Sequence, residues 1–393
     1  MNYDFDTEVP RRGTDSCKWD TPEEEGVVPM WVADMDFRTA PPVVAALQRR
    51  VEHGIFGYTK VPDAYYEAVV RWFERRHRWR IDPEWMLCTT GVVPALSATI
   101  QALTAPGDKV IVQTPAYNCF FSSIRNSRCC LSADNLICRD GHYTVDFDDL
   151  ETKAAEQKAR LLLLCNPHNP TGRVWTPAEL RRIGEVCLRH GVTVVADEIH
   201  CELTHAGHDY TPFASLSEEF RQHSVTCISP SKAFNLAGLQ IAAIVAADQD
   251  VRRRIDRALN VNEVCDVNPF GVEATIAAYN EGGEWLDSLR DYLRENFLFL
   301  QTFLAAHLPQ LRVTPLEGTY LAWIDCRATG MSSERITERL LDEERLMVNA
   351  GTLYGPGGEG FVRLNFACPR ALLAVGLERM TKVLGSGIER TVL

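Results

Sequence analysis

The sequence has no feature of a fibrous, disordered or membrane-spanning protein. Hydrophobic residues at 46% and charged residues at 24% show no bias toward disorder or collagen-like repetition. The longest apolar run, residues 239–247 with one glutamine inside, is only about half as long as a membrane-spanning helix. We therefore expect no membrane segment and interpret this run as a buried strand.

The sequence also lacks an excess of positive charge. It has 41 basic and 53 acidic residues, a formal net charge of −12, whereas a phosphate backbone is bound by clustered lysine and arginine. The densest basic stretch, residues 71–80, is interleaved with aromatic residues that could stack on bases. An amphipathic helix ending near Arg80 is the simpler interpretation, and we expect no nucleic-acid partner.

The thirteen cysteines lack the spacing of a disulfide scaffold or of a CxxC metal site. They are scattered singly, apart from the adjacent Cys129 and Cys130, and the chain opens without a charged-then-apolar signal segment. We expect reduced thiols, a cytoplasmic location and no metal site.

Between about residues 85 and 250, short apolar strands alternate with helices, a pattern typical of a mostly parallel sheet covered on both faces. Thr176 as N-cap, Pro177 at the first helical position and Gly191 as the stop predict one of these helices. It would form a right-handed strand-helix-strand crossover. The clearest predicted strands are residues 109–115, 160–167, 192–200 and 224–229.

The length predicts one large domain and one smaller domain. A long helical pattern at 284–307 leads into a new strand pattern at 319–326, which indicates a second domain. The expected parts are an N-terminal arm (1–45) that packs on the small domain and on a partner subunit, a large domain (46–285) and a small α+β domain (286–393).

Lys232 is the strongest single chemical signal. It lies in SPSKAFNLAGLQ, where a strand ends in small hydroxyl residues before a glycine-containing turn. Burial beside apolar or positive groups would lower the pKa of this amine and make it a nucleophile toward an aldehyde. Taken alone, a surface lysine after a strand is as good an interpretation.

Asp197 ends a predicted strand, at the carboxyl edge where open α/β sheets bind ligands. A carboxylate there would pair with a cation, and the protonated nitrogen of a pyridine ring is one candidate. This ion pair keeps the ring positive, so that the ring can take up electrons from a carbanion. The alternative is an aspartate that caps the next helix.

Four further residues each have a chemical and an ordinary structural interpretation. Asn169, in NPHNPTG, could aim its amide at a ring hydroxyl or simply belong to an Asn-Pro turn. Gly91 precedes a predicted helix whose first N–H groups could bind a phosphate, although this signal is weak alone. Tyr117 could stack on a flat ring or pack in the core. Arg363, in an apolar strand, could clamp a substrate carboxylate or form a structural salt bridge.

In chain order, these six residues resemble the cofactor and substrate set of the fold-type I pyridoxal-phosphate (PLP) enzymes, aminotransferase classes I and II. The resemblance runs from the N-terminal arm to about residue 370 and is closest to the MalY/PatB-type cystathionine β-lyases (C–S lyases). It implies the aminotransferase-like α/β fold: a three-layer large domain with a mostly parallel sheet, and a smaller α+β domain. The segments that carry it are WVADMDF, FGYT, GVVPAL, NPHNPTGRVW, ADEIH, SKAFNLAGLQ and RLNFACPR.

The resemblance implies PLP as the cofactor, with Lys232 as its Schiff-base lysine and Tyr117 as a second catalytic residue over the ring. Phosphate would be held by the Gly91–Val92 backbone, by two serines and by Tyr58 of the partner subunit. The expected cofactor-binding residues are Tyr58, Gly91, Val92, Val93, Tyr117, Asn169, Asp197, His200, Ser229, Ser231 and Lys232. The expected substrate-binding residues are Asp34, Asn169 and Arg363.

His200 departs from the usual pattern of the superfamily. It stands three residues after Asp197, where typical aminotransferases carry a tyrosine that binds the ring hydroxyl. The histidine leaves Asn169 as the chief group at that hydroxyl and matches the lyase-like branch. Around Tyr117, the residues Ala116, Asn118 and Cys119 differ from the commonest sequence of the branch, and so does the loop GTLYGPGGEG. These differences affect the expected leaving group more than the expected reaction class.

The resemblance implies α,β-elimination on a cysteine S-conjugate such as cystathionine, giving thiol, pyruvate and ammonia. An aminotransferase would use the same residues and stays an alternative, since the fold does not settle the function. A DNA-binding regulator with a PLP domain is disfavoured because such proteins usually add a basic helix-turn-helix. A small amino acid as substrate, and a homodimer whose active sites are shared, are expected.

Overall fold

The structure, a computed structural model, describes residues 3–385. The strands are β1 Val28–Pro29, β2 Met86–Thr89, β3 Lys109–Thr114, β4 Cys130–Asn135, β5 Ile137–Arg139, β6 His142–Thr144, β7 Ala159–Cys165, β8 Thr193–Asp197, β9 Ser224–Ile228, β10 Ala242–Val245, β11 Arg312–Val313, β12 Leu321–Asp325, β13 Leu346–Met347, β14 Asn349–Ala350 and β15 Phe361–Asn365. The α-helices are α1 Cys17–Asp20, α2 Pro41–His53, α3 Asp63–His77, α4 Val92–Leu103, α5 Asn118–Asn126, α6 Phe147–Ala154, α7 Pro177–His190, α8 Glu218–Gln222, α9 Gln249–Val261, α10 Pro269–Glu281, α11 Gly283–His307, α12 Ser333–Glu344 and α13 Arg370–Leu384.

Seven strands form the central sheet, in the order β2-β10-β9-β8-β7-β3-β4. Neighbouring strands run parallel except at β10, which is antiparallel to both β9 and β2. Helices α4, α5 and α9 pack on one face of the sheet, and α6 and α7 pack on the other. The predicted three-layer α/β fold with a mostly parallel sheet is therefore confirmed.

The central strands are apolar along their length because both faces of the sheet are covered. In β9, for example, all five residues are buried. The four predicted central strands and the predicted buried run are all present, with shorter ends. The strand predicted over 192–200 stops at Asp197, because the chain turns at residues 198–200, where Glu198 and His200 bring polar side chains into the loop.

Helix α7 begins and ends where its sequence signals predict. Thr176 accepts a hydrogen bond from the Glu179 amide, the Glu179 side chain reciprocates, Pro177 is the first helical residue and Gly191 ends the helix in a left-handed conformation. The reciprocal bonds satisfy amide groups that a helix start leaves free.

A second, four-stranded antiparallel sheet, β11-β12-β15-β14, lies in the C-terminal part of the chain. The N-terminal strand β1 pairs with β13 of that part, and the 25-residue helix α11 crosses the predicted domain border at 285/286. The domain limits stay a prediction. None of the helices in residues 3–385 is long and apolar enough to cross a lipid bilayer.

Candidate active site

The loops that follow the parallel strands converge at the carboxyl edge of the central sheet, as open α/β folds require. Tyr117 follows β3, Asn169 follows β7, Asp197 ends β8 and Lys232 follows β9, while Arg363 comes from β15 of the second sheet. All five line one cavity of about 440 Å³. The other predicted residues that line it are Gly91, Val92, Val93, His200 and Ser231.

Lys232 presents its amine to this cavity. The Lys232 Nζ donates a hydrogen bond of 2.6 Å to the Ala33 carbonyl oxygen. Burial and the nearby charge of Arg363 lower the pKa of Lys232 to about 8. About a tenth of the amine is therefore neutral, and so nucleophilic, at pH 7, a far larger share than for an ordinary lysine.

Asp197 lines the same cavity and is 3% exposed. Its Oδ1 accepts one backbone hydrogen bond, from the Ile199 amide at 3.2 Å. Burial raises the pKa of Asp197 to about 6, although that amide and the charge of Lys232 act in the opposite direction. A buried carboxylate with so few donors favours a cationic ligand, which a protonated pyridine nitrogen would be.

His200 is buried beside Asp197 and is neutral across physiological pH. Burial, together with the charges of Lys232 and Arg363, lowers the pKa of His200 to about 3. Its Nδ1 has no hydrogen-bond partner among residues 3–385, and neither has the Arg363 Nε. Buried polar atoms without partners are rare in folded proteins, so these two atoms fit a cavity that holds a polar ligand.

The N-terminus of α4 supplies an anion site at another wall. Gly91, Val92 and Val93 line the cavity, and the first N–H groups of a helix have no partner within it. Ser231 lines the same cavity, whereas Ser229 does not. The Ser229 hydroxyl donates to the Ile241 carbonyl at 2.6 Å and accepts the Ser231 amide at 3.1 Å, which supports the turn before Lys232.

Arg363 and Asn169 lie in contact. The Arg363 NH1 donates to the Asn169 Oδ1 at 3.1 Å and its NH2 donates to the Trp31 carbonyl at 2.8 Å, while the guanidinium lies 4.9 Å from the Tyr354 ring centroid. No carboxylate of the described chain pairs with this arginine. Its charge is therefore available to a ligand carboxylate.

Tyr117 caps the start of α5 and faces the same cavity. Its ring meets Phe120 edge to face at 6.1 Å. Burial raises the pKa of Tyr117 well above its ordinary value, so the phenol stays protonated. An uncharged aromatic face at this position suits a flat ring ligand.

Besides Ser229, two predicted residues, Tyr58 and Asp34, lie outside the cavity of a single chain. Tyr58 is completely exposed. Asp34 is engaged by the N-terminal arm: its carboxylate accepts from Arg11 at 2.7 Å and lies 3.7 Å from the Lys18 amine. The roles assigned to both residues stay predictions.

Several lining residues were not among the predicted site residues. They are Trp31 from the N-terminal arm, Asn349 of β14, and Leu353 and Tyr354 from the loop after β14. Trp31 lies in WVADMDF, one of the segments that carry the resemblance. Tyr354 lies in GTLYGPGGEG, the loop that differs from the commonest sequence of the branch. Their orientation into the site depends on how distant parts of the chain pack.

A larger cavity, of about 860 Å³, contains none of the predicted site residues. Along its wall, ligand atoms of His77, Cys201 and Glu202 lie within 4.8 Å of one another, a grouping that could hold a metal ion. The Glu202 Oε1, however, already accepts from the Trp72 Nε1 and contacts the His77 Nε2, both at 2.6 Å. The expected absence of a metal site stays a prediction.

Fold and site together define a PLP-type enzyme, and comparison with known proteins identifies the family. The family model "Aminotransferase class I and II" matches residues 26–380. The chain therefore belongs to that family.

Similar proteins include carbon–sulfur lyases that match nearly the whole length of the chain. The chain is 45% identical to cystathionine beta-lyase PatB of Bacillus subtilis, covering 97% of this chain and 99% of PatB. It is 32% identical to protein MalY of Escherichia coli, covering 95% and 97%. The crystal structure of cystalysin from Treponema denticola, which contains pyridoxal 5'-phosphate, superposes with a TM-score of 0.95 at 35% identity, covering 98% and 99%.

Proposed function

We propose that this protein is a PLP-dependent carbon–sulfur lyase that cleaves cysteine S-conjugates such as cystathionine. The observation that carries the proposal is the convergence of Lys232, Asp197 and Arg363 on one cavity, in a chain 45% identical to a cystathionine beta-lyase. The products are a thiol, pyruvate and ammonia.

The described residues fit the cofactor without rearrangement of the fold. Asp197 would pair with the ring nitrogen, the start of α4 and Ser231 would hold the phosphate, and Asn169 would meet the ring hydroxyl while Tyr117 covers the ring. When bound, PLP supplies an electron sink that stabilises negative charge at the substrate Cα.

The chain's own residues then handle the substrate. Arg363 holds the substrate carboxylate through its guanidinium, which orients the Cα–H bond. The Lys232 amine, whose pKa near 8 leaves part of it neutral, accepts the α-proton at Nζ. The Cβ–S bond then breaks, the departing sulfur takes up a proton to leave as a thiol, and one water molecule hydrolyses the released enamine to pyruvate and ammonia.

Incubation with cystathionine alone tests the proposal. The holoenzyme should release pyruvate and thiol in equal amounts without a keto-acid acceptor. Lys232→Ala should abolish turnover, a loss of at least about 1,000-fold, because the proton acceptor is gone. It should also lose the absorbance of cofactor attached to the lysine.

An aminotransferase is the second candidate, because the site residues serve both reactions. A solved structure titled a PLP-bound putative aminotransferase, from Clostridium difficile, superposes with a TM-score of 0.95 at 40% identity. Conversion of cystathionine to its own keto acid only when a keto-acid acceptor is added, with the acceptor becoming an amino acid and no thiol released, would favour transamination and contradict the lyase assignment.

We also infer a cytoplasmic homodimer with shared active sites. Tyr58 lies in an exposed segment with two large apolar side chains, Ile55 and Phe56, which are 67% and 53% exposed. A second copy of the chain would cover these side chains and bring its Tyr58 to the neighbouring cavity. All thirteen cysteines are free thiols, which agrees with a reducing compartment.

Subunit mixing tests the sharing of sites. Tyr58→Ala and Lys232→Ala each remove activity in this arrangement, but a hybrid dimer has one site that carries neither substitution. Activity should therefore return when the two inactive variants are refolded together. Hybrid dimers that form and stay inactive would show that each subunit works alone.

A further inference from the structure

Both cationic residues of the site are bonded to the backbone of one short segment, residues 31–37, here called the strap. The Lys232 Nζ donates to the Ala33 carbonyl at 2.6 Å, and the Arg363 NH2 donates to the Trp31 carbonyl at 2.8 Å. The Tyr320 hydroxyl adds a third bond, to the Ala33 carbonyl at 3.0 Å. The strap therefore contacts both the amine and the guanidinium that the reaction needs.

Three asparagine side chains hold the strap from different parts of the fold. Asn365 of β15 donates to the Val32 and Asp34 carbonyls, each at 2.6 Å. Asn235, three residues after Lys232, donates to the Met35 carbonyl at 2.9 Å and accepts the Met35 amide at 3.0 Å. Asn349 of β14 donates to the Trp31 carbonyl at 2.9 Å. The strap thus connects the Lys232 loop to the second sheet.

On its outer side the strap is fixed by a buried ion cluster of Arg11, Lys18, Asp34 and Asp36. Lys18 is 1% exposed and Asp36 is 4% exposed, and their charged atoms lie 2.7 Å apart. The Asp36 Oδ1 also accepts from the Arg11 NH1 at 2.7 Å and from the Trp19 Nε1 at 2.8 Å. A lysine and an aspartate buried this deeply are tolerated because they neutralise each other.

We infer that Lys18 and Asp36 are positioning residues of the active site, which act by fixing the strap so that Ala33 and Trp31 orient Lys232 and Arg363. The inference rests on the proposed function and extends it to residues outside the cavity. The Asp34 carboxylate belongs to the same ion cluster, and its predicted contact with the substrate stays a prediction.

The Ala33 carbonyl has a specific use in this arrangement. In the proposed reaction the Lys232 amine would accept the α-proton of the substrate, and its Nζ donates a hydrogen bond to this carbonyl. A hydrogen bond from one N–H to Ala33 restricts the rotation of the amine and leaves its lone pair to be directed at the substrate. The same strap, through Trp31, sets the guanidinium that holds the substrate carboxylate.

Three variants and one control test the inference. Asp36→Asn keeps the size of the side chain and removes its charge, Lys18→Met removes the opposite charge, and the double variant leaves neither charge buried. Glu24→Gln is the control, since Glu24 belongs to the same arm but pairs with Arg345 at the surface. The main measurement is the affinity for 2-aminoisobutyrate, followed through the absorbance of the bound cofactor. This amino acid binds like a substrate, but it has no α-hydrogen and so cannot undergo the elimination.

We expect both single variants and the double variant to weaken 2-aminoisobutyrate binding by about tenfold or more, since displacements of about 1 Å at a catalytic geometry have large effects. Affinity for the cofactor itself should fall less than affinity for 2-aminoisobutyrate, because the predicted phosphate contacts at Gly91, Val92 and Ser231 lie outside the strap. Glu24→Gln should match the wild type in both measurements.

The double variant separates positioning from mere stability. If the cluster only stabilised the fold, removal of both charges would restore thermal stability and amino-acid affinity together. Wild-type affinity in the double variant, or in Asp36→Asn, would therefore overturn the inference. A wild-type protein that binds cofactor and 2-aminoisobutyrate but releases no pyruvate from cystathionine would instead refute the proposed lyase activity, and the strap test could still be read.

Discussion

Residues 197–202 line two neighbouring cavities, and a comparison of the two shows which features distinguish a ligand-binding site. Asp197 and His200 face the cavity of about 440 Å³, whereas Cys201 and Glu202 face the cavity of about 860 Å³. The smaller cavity holds the predicted catalytic set. A choice of active site by volume alone would have favoured the cavity of about 860 Å³.

The two cavities differ in how well their buried polar groups are paired. In the larger one, Glu202 is bonded to Trp72 and His77 and lies 3.6 Å from the Arg76 Nε. In the smaller one, the His200 Nδ1 and the Arg363 Nε have no partner among the described residues. Unpaired buried polar atoms cost folding free energy, so a cavity that keeps them is suited to a ligand that pairs them.

Arginine replacements in the two cavities should give the largest contrast. Arg363→Ala should lower kcat/KM for cystathionine by about 100-fold or more, mainly through KM, because the substrate carboxylate loses its partner. The matched change, Arg290→Ala, removes an arginine that bonds Thr204 at the larger cavity and should stay within about threefold. Steady-state kinetics of both variants measure the difference, and equal losses would remove the distinction between the cavities.

The pKa of Lys232 gives a pH dependence specific to the smaller cavity. Below its pKa of about 8, the amine is mostly protonated and cannot attack an aldehyde. The rate at which cofactor-free protein attaches added PLP should therefore rise about tenfold per pH unit up to pH 8 and then level off. Absorbance in a stopped-flow experiment follows the attachment, with Lys232→Ala as the blank. A rate that is flat between pH 6 and 8 would contradict a depressed pKa at this residue.

Glu202→Gln should lower stability and leave catalysis nearly intact. Its effect on activity should be smaller than the effects of changing Arg363 or Lys232. Burial alone would raise the pKa of Glu202, but His77, Arg76 and Trp72 outweigh it and hold the pKa below its usual value. We expect the variant to lose about 2 kcal/mol of unfolding free energy at pH 7, with kcat/KM within about threefold.

The sign of the pH effect provides a control for that variant. Because the folded-state pKa of Glu202 is depressed, its contribution is present above the unfolded pKa and disappears as the pH falls through the folded pKa. Urea unfolding of wild type and Glu202→Gln should therefore converge in acid. A loss of activity without a loss of stability would place Glu202 in the catalytic machinery and contradict the contrast between the cavities.

The fold could be predicted well because its signals are local. Apolar strands such as β7 and β9, buried on both faces, and the reciprocal cap of α7 depend on residues within a few positions of one another. The ends of the strands and helices were less predictable. The strand predicted over 192–200, for example, ends at Asp197, because the chain turns there. The residues at the carboxyl edge followed from the topology, since parallel strands place their ends together.

The sequence by itself determined the sheet, its carboxyl edge and the identity of the reactive groups on it, from Gly91 to Lys232. Only the tertiary structure decided which carbonyl holds the Lys232 amine, which loop brings Tyr354 over Arg363, and that Asp34 joins an ion cluster. The physical reason is distance along the chain: Lys232 meets Ala33, and Arg363 meets Trp31, across about two hundred and three hundred residues. Local patterns carry no information on such pairs, which form only when the arm packs between the two sheets.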